Sequence, residues 1–287
     1  MIKISSLLGN TQHLDGGALF GHVPKALWSK WLPADNNNCI TLACRALLIE
    51  DNSKRILLET GIGAFFPPEI KKRYGVTPDH HVLLDSLQKL DLTHNDIDVV
   101  ILSHLHFDHA GGLLSAYQEG EESDLLFPKA RYLISQDSFI RAKAPHARDK
   151  ASFIPELTPL LETSGRMELI IGDHSPTLGT AYKLHFSHGH TPGLMLTEIR
   201  TEEGPLVFAA DLIPGVAWLH APITMGYDRF PEKVVDEKEA LLDYLVTNQG
   251  RLFYAHDPKI ALSHVVRDVK GRFVASDMLN EVTRYEI

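Results

Sequence analysis

The chain has 287 residues, of which 44% are hydrophobic and 23% charged, an ordinary globular composition with enough material for a substantial core. Its formal net charge of −9 argues against nucleic acid as a partner, because a polyanion needs a basic surface. The opening "MIKISSLLGNTQHLDGG" reads as no signal peptide, no apolar run of about 20 residues offers a membrane span, and the two cysteines, Cys39 and Cys44, read as core thiols of a reduced, cytoplasmic protein.

Residues 45–49 and 55–59 are short apolar runs around the polar stretch 50–54, which predicts a hairpin. The proline- and charge-rich stretch 65–79 predicts a surface loop or a short helix. Apolar residues at 83, 84, 87 and 90 recur with a helical period, so 81–90 is expected to be a helix. Val99–Leu102 is continuously apolar, as in a strand covered on both faces. "GLLSAY" (112–117) predicts a short helix, and "ARYLISQDSFIRAKA" (130–144) a strand and then a helix. Tyr182, Leu184 and Phe186 alternate with polar residues, which predicts a half-buried strand. "MLTEI" (195–199) and "LVFAAD" (206–211) predict a strand pair around the turn "RTEEGP". An amphipathic helix is expected over 234–246, and "RLFYA" (251–255) is expected to be a strand. The alternation of strands and helices excludes an all-α fold and argues against a pure all-β one, and hairpins mixed with strand–helix units argue against a purely parallel sheet. No linker divides the chain, so one domain over 1–287 is expected.

The stretch "ILSHLHFDHAGG" (101–112) follows the strand Val99–Leu102. His104 and His106 are two residues apart, so in extended backbone both imidazoles point the same way and can reach one ion. Asp108 and His109 follow where the chain turns towards a helix, and point towards a second. Three further candidates close predicted strands: His190 in "SHGHTPG", Asp211 in "LVFAAD" and His256 in "AHDP". Functional groups in layered α/β structures gather at strand ends. The inventory assigns His104, His106 and His190 to one ion and Asp108, His109 and His256 to the other, with Asp211 as the bridge. Each ion keeps room for a shared hydroxide, which is the pattern of a catalytic site. His188, two residues earlier, competes with His190 for the third position. Isolated histidines such as His13, His94 and His185 read as structural. Trp28, Trp31, Phe65, Phe66 and Trp218 read as core more readily than as pocket walls.

"HLHFDH" (104–109) followed by His190, Asp211 and His256 in that order resembles the metallo-β-lactamase superfamily. The resemblance covers about 40–264. It implies a four-layer αβ/βα sandwich, with two mixed β-sheets packed face to face and helices outside. "ETG" at 59–61 is similar to the family's "DTG", with Glu59 in place of aspartate as a residue behind the ligands. The motif, with "LDGGALFGHVPKALW" and "MGYDRFPE", is most similar to the N-acyl homoserine lactone lactonases, their YtnP-like members and the methyl-parathion-hydrolase-like branch. Those lactonases carry a tyrosine three residues after the bridging aspartate, where this chain has Pro214; Tyr227 is the candidate to supply a phenol instead.

The resemblance implies two divalent ions, zinc by default, with iron, manganese and cobalt also suited to this donor set. The expected reaction is attack of a metal-bridging hydroxide on a lactone, with organophosphate triester or aryl ester hydrolysis as the alternative and a thioester hydrolase or a non-catalytic metal-binding module as weaker readings. Asp108 is expected to pass a proton to the leaving group. Tyr227, His220, Phe20 and His22 are the candidates for substrate contact. A homodimer is implied, with residues 1–35 as an N-terminal extension that walls the pocket or the dimer interface.

Overall fold

The computed structural model describes residues 2–287, which form two compact units. The first holds the N-terminal residues through Gln12, Ala43–Ile171 and Thr283–Glu286; the second holds His13–Leu42, Gly172–Val282 and Ile287. In chain order the strands begin with β1 (Ile2–Leu8), β2 (Gln12–Asp15), β3 (Cys39–Leu42), β4 (Arg45–Asp51) and β5 (Lys54–Leu58). They continue with β6 (Val99–Leu102), β7 (Arg131–Ser135), β8 (Met167–Ile170), β9 (Tyr182–Ser187) and β10 (Leu194–Ile199). The last are β11 (Leu206–Phe208), β12 (Arg251–Phe253), β13 (Leu262–Arg267), β14 (Phe273–Leu279) and β15 (Tyr285–Glu286).

The sheet of the first unit runs β15-β1-β4-β5-β6-β7-β8. Its pairs are antiparallel as far as β5 and parallel from β5 to β8. The expected hairpin is β4–β5, with its turn at Asn52, whose φ of 54° lies in the left-handed region that asparagine tolerates. Alternate strand residues, among them Leu48, Leu57, Val100, Leu102 and Ile134, join a core with Leu83 and Leu87 of helix Val82–Gln88 and Leu157 and Leu161 of helix Leu157–Thr163. The opposite set, Leu47, Ile56, Leu58, Ile101 and Leu133, is buried as well. That explains why β6 is apolar at every position and does not alternate. The stretch 65–79 contains the helix Pro68–Arg73, which begins on proline, whose fixed φ suits a first helical turn.

"GLLSAY" forms no α-helix. It gives one 3₁₀ turn, Gly111–Leu113, after which Leu114 bridges to Leu125 and the Ser115 N–H donates to the Asp124 carbonyl. Pairing with the neighbouring segment takes the backbone groups that a helix would have used.

The sheet of the second unit runs β14-β13-β12-β11-β10-β9. Only β11–β12 is parallel, and helix Pro231–Thr247 makes the crossover between them. β11 and β12 are shorter than expected, because 209–211 and 254–255 leave the ladder to become the loops described below. In the N-terminal part of this unit Phe20 lies between Trp28 and Trp218, stacked at 5.4 and 4.7 Å between ring centroids. Gly16 makes room for this packing, since a Cβ there would stand 2.4 Å from the Trp28 ring. Among the described residues, neither Cys39 nor Cys44 is part of a disulfide. Among the described residues, no helix is long and apolar enough to cross a membrane.

Candidate metal centre

In the first unit the parallel pairing of β5 and β6 sets two chain exits side by side. Leu58 pairs with Ile101, so Glu59 leaves its strand next to Ser103 and His104. Glu59 adopts a φ of 66°, a left-handed conformation that costs a non-glycine residue about 1 kcal/mol or more. That turn aims its carboxylate inwards. Oε1 accepts the Ser103 N–H at 2.8 Å, and Oε2 stands 3.4 Å from His109 Nδ1. His104, His106 and His109 are all buried, with the His104 ring centroid 4.4 Å from that of His106 and 4.2 Å from that of His109. His106 stands at the N-cap of the short helix Phe107–Ala110, so Asp108 and His109 project from its first turn.

Two contacts hold this arrangement from behind. The Thr60 N–H and hydroxyl both donate to the His109 carbonyl, at 2.9 and 3.0 Å. Gly112 packs on Thr60 so closely that a Cβ would lie 2.1 Å from the Thr60 carbonyl oxygen. Gln12, fully buried, donates from Nε2 to Asp108 Oδ2 at 2.7 Å. This fixes one carboxylate oxygen, and the other lies 3.8 Å from His109 Nε2.

In the second unit the register of the parallel pair does similar work. Phe208 pairs with Phe253, and Asp211 and His256 each follow three residues later. Asp211 is preceded by Ala210 at a φ of 44°, a strained residue at a site-bearing turn. The Asp211 carboxylate is shared, with Oδ1 3.0 Å from His256 Nε2 and Oδ2 3.1 Å from His190 Nε2. On its other side, His190 Nδ1 lies 2.8 Å from Asp228 Oδ1, and Asp228 Oδ2 accepts the Met225 N–H at 2.7 Å. Burial alone would lower the His190 imidazole, but Asp211 and Asp228 outweigh it and push it up to about 10. Two carboxylates flanking one buried ring therefore create a demand for positive charge at that point. His188 has a different place, as its Nδ1 accepts the Gly193 N–H and closes the turn.

The remaining candidates separate by exposure. Phe20 has no exposed surface and belongs to the aromatic stack of the second unit. His22 and His220 are exposed and line a cavity of about 1200 Å³ in the same unit, walled by Trp31, Val216, Ile223 and Phe273 among others. Burial, and then the cations Lys238 and Arg272, lower the His220 imidazole. Tyr227 is exposed and adjoins Asp228. Gln12 and Asp228 were not singled out by sequence reasoning, although each is hydrogen-bonded to a candidate ligand.

Each unit thus carries a set of imidazole and carboxylate donors, buried except for the partly exposed Asp108, and all but His190 follow strands of a parallel pair. In the first unit the donor atoms of His104 and His106 approach within 4.8 Å, as do those of Asp108 and His109. Neutral imidazole and carboxylate are the donor types that zinc, iron, manganese and cobalt accept. The Asp211 carboxylate presents one oxygen to each of two histidine Nε2 atoms. The residues therefore fit a divalent-metal centre of the hydrolytic kind.

Comparison with known proteins agrees with this class. The model of the metallo-beta-lactamase superfamily matches residues 40–256, a span that takes in all of these donors, and the chain belongs to that superfamily. Its α+β architecture of mixed sheets is the fold of that family. A probable metal-dependent hydrolase from Staphylococcus aureus is similar in structure at a TM-score of 0.85 and 28% identity, covering 97% of this chain and 98% of that one. AidC, a dizinc quorum-quenching lactonase solved with a product, has a TM-score of 0.75 at 22% identity, covering 97% of this chain and 96% of its own. The N-acyl homoserine lactonase AiiB of Rhizobium rhizogenes is 26% identical over 193 residues, which is 60% of this chain. That match spans 63% of the curated relative's length, less than two thirds of it.

Proposed function

We propose that this superfamily member is a metal-dependent hydrolase that opens a lactone ring, with N-acyl homoserine lactones as the substrate class. In this reading the imidazoles and carboxylates hold two ions. His104, His106 and His190 serve one ion, Asp108, His109 and His256 the other, and Asp211 is shared. The observation that carries the reading is the Asp211 carboxylate, which stands 3.1 Å from His190 and 3.0 Å from His256. Zinc is the default ion for so many imidazoles. When bound, divalent ions supply Lewis acidity and a water nucleophile at neutral pH.

The protein's own groups set what that chemistry acts on. Asp108 takes up the proton that the attacking water loses and passes it to the leaving alkoxide, and the Gln12 carboxamide keeps its carboxylate turned. Asp228 fixes the tautomer of His190 by accepting from Nδ1, so that Nε2 faces the site. Glu59 faces the corresponding nitrogen of His109 from 3.4 Å, an electrostatic partner without a hydrogen bond from Oε2. Tyr227, His220 and His22 are the substrate-facing polar groups in this scheme. Lactone opening is favoured over phosphotriester hydrolysis because a carboxylate that relays a proton, held in place by a buried amide, matters for an alkoxide and little for a nitrophenolate. The test is a hydrolysis panel on zinc-loaded protein with acyl homoserine lactones of several chain lengths, simple lactones, aryl esters, a paraoxon-like triester and thioesters. The highest kcat/KM is expected on a lactone. A phosphotriester or thioester ahead of every lactone would refute the proposal.

A further inference from the structure

Helix Pro231–Thr247 buries a stripe at Val234, Lys238, Leu241, Leu242 and Leu245. Four of these residues are what a core-facing helix requires. Lys238 is not, and it has no exposed surface. Its Nζ donates to the Ile223 carbonyl at 2.7 Å and to the His220 carbonyl at 3.2 Å. The turn it grips leads into Met225 and Asp228, and Asp228 holds His190.

The residue before it reaches the other side of the same histidine. The Glu237 carboxylate accepts the Ser187 hydroxyl at 2.6 Å and the His188 and Gly189 N–H groups at 2.8 and 3.1 Å. Consecutive helix residues point about 100° apart, so neighbours in sequence can serve two different loops. The helix start adds two more ties. Arg229 N–H donates to the His190 carbonyl, and Phe230 N–H to that of Gly189. Gly189 also sits where a Cβ would come within 2.5 Å of Val234. The backbone before His190 and the loop that supplies its carboxylate partner are therefore both fastened to one rigid helix.

We propose that Glu237 and Lys238 are positioning residues that set the angle between His190 and Asp228, and thereby the metal affinity of the second unit's donors. Neither touches a donor side chain. Glu237 acts through the backbone of 187–189, and Lys238 through the turn 220–223. Removing either leaves the donors present but free to swing, and a donor displaced by a fraction of an ångström binds more weakly. The inference rests on the metal reading above.

The experiment measures zinc affinity by competition with a chromophoric chelator, together with unfolding of the zinc-free protein. It uses the full chain and the variants Glu237→Gln, Lys238→Met, Asp228→Asn and Leu241→Ala. Asp228→Asn disturbs the direct partner of His190 and should weaken zinc by about 10- to 100-fold. Glu237→Gln and Lys238→Met should each weaken it by roughly 10-fold, the lower end of that range. Leu241→Ala trims a buried apolar side chain on the same helix face, with no side-chain hydrogen bond to lose, and should lower stability while leaving zinc affinity unchanged. Wild-type affinity in both Glu237→Gln and Lys238→Met, with Asp228→Asn weakened, would overturn the proposal. Equal weakening by Leu241→Ala would also overturn it, since general loosening would then suffice. A wild-type chain that binds no zinc would instead contradict the metal reading itself. If Lys238→Met does not fold, Glu237→Gln decides.

Discussion

Gly112→Ala tests whether the packing behind His109 holds the first unit's donors in place. The added Cβ would stand 2.1 Å from the Thr60 carbonyl oxygen, about 1.3 Å inside the ordinary contact distance of 3.4 Å. It would also lie 3.1 Å from the Thr60 Cβ, so the contact cannot be relieved by rotating one flexible side chain. Thr60 must move, yet its N–H and hydroxyl are both bound to the His109 carbonyl. Losing those two hydrogen bonds costs about 1 kcal/mol each, and overpacking adds about 1–3 kcal/mol. The expected loss of stability is therefore about 3–5 kcal/mol, read from urea denaturation of metal-free protein. A shift of His109 by about 1 Å should also lower activity by about 100-fold. Gly172→Ala is the matched control. Its Cβ meets nothing within 4 Å, and the change should stay within about 0.5 kcal/mol. A Gly112→Ala protein as stable and active as Gly172→Ala would refute the reasoning.

Asp108→Asn should depress lactone hydrolysis far more than nitrophenyl phosphotriester hydrolysis, because only the alkoxide needs a delivered proton; equal losses in kcat would exclude the proton-donor role. His190→Ala should remove one equivalent of zinc per chain in elemental analysis, whereas His188→Ala should keep the full complement, since His188 only closes a turn. Burial, offset in part by Asp228, lowers Lys238 from its ordinary 10.5 to about 7. The unfolded chain keeps that proton to higher pH than the folded one, so the burden is full below about pH 7 and is relieved as pH rises towards 10. Between those limits wild type should gain stability relative to Lys238→Met, by at most about 1.4 kcal/mol per pH unit. Parallel stability–pH curves for the two proteins would contradict this.

The candidate donors were legible because strand periodicity and a turn towards a helix say which way consecutive side chains face. "HLHFDH" can be read in this way without coordinates, and so can the strand-ending positions of Asp211 and His256. The residues that orient them were not legible. Gln12 lies far along the chain from Asp108, and Asp228 from His190, and nothing local distinguishes either from a surface amide or acid. Lys238 did leave a signal, a lysine in register with Val234, Leu241 and Leu245 on an otherwise apolar face. "GLLSAY" misled because the short helix expected there was outcompeted by pairing with 124–126, a tertiary choice. Phe20 was expected near substrate from its neighbourhood in "GGALFGH". Its burial depends on Trp218, almost 200 residues away, whose indole donates to the Leu19 carbonyl.

The most direct test of the central claim is the rate of opening of an N-acyl homoserine lactone by the stripped protein as zinc is added back. The account predicts no opening without metal and a rise that saturates near two zinc ions per chain. Opening that is independent of metal, or a chain saturated with two zinc ions that leaves the lactone intact, would contradict it.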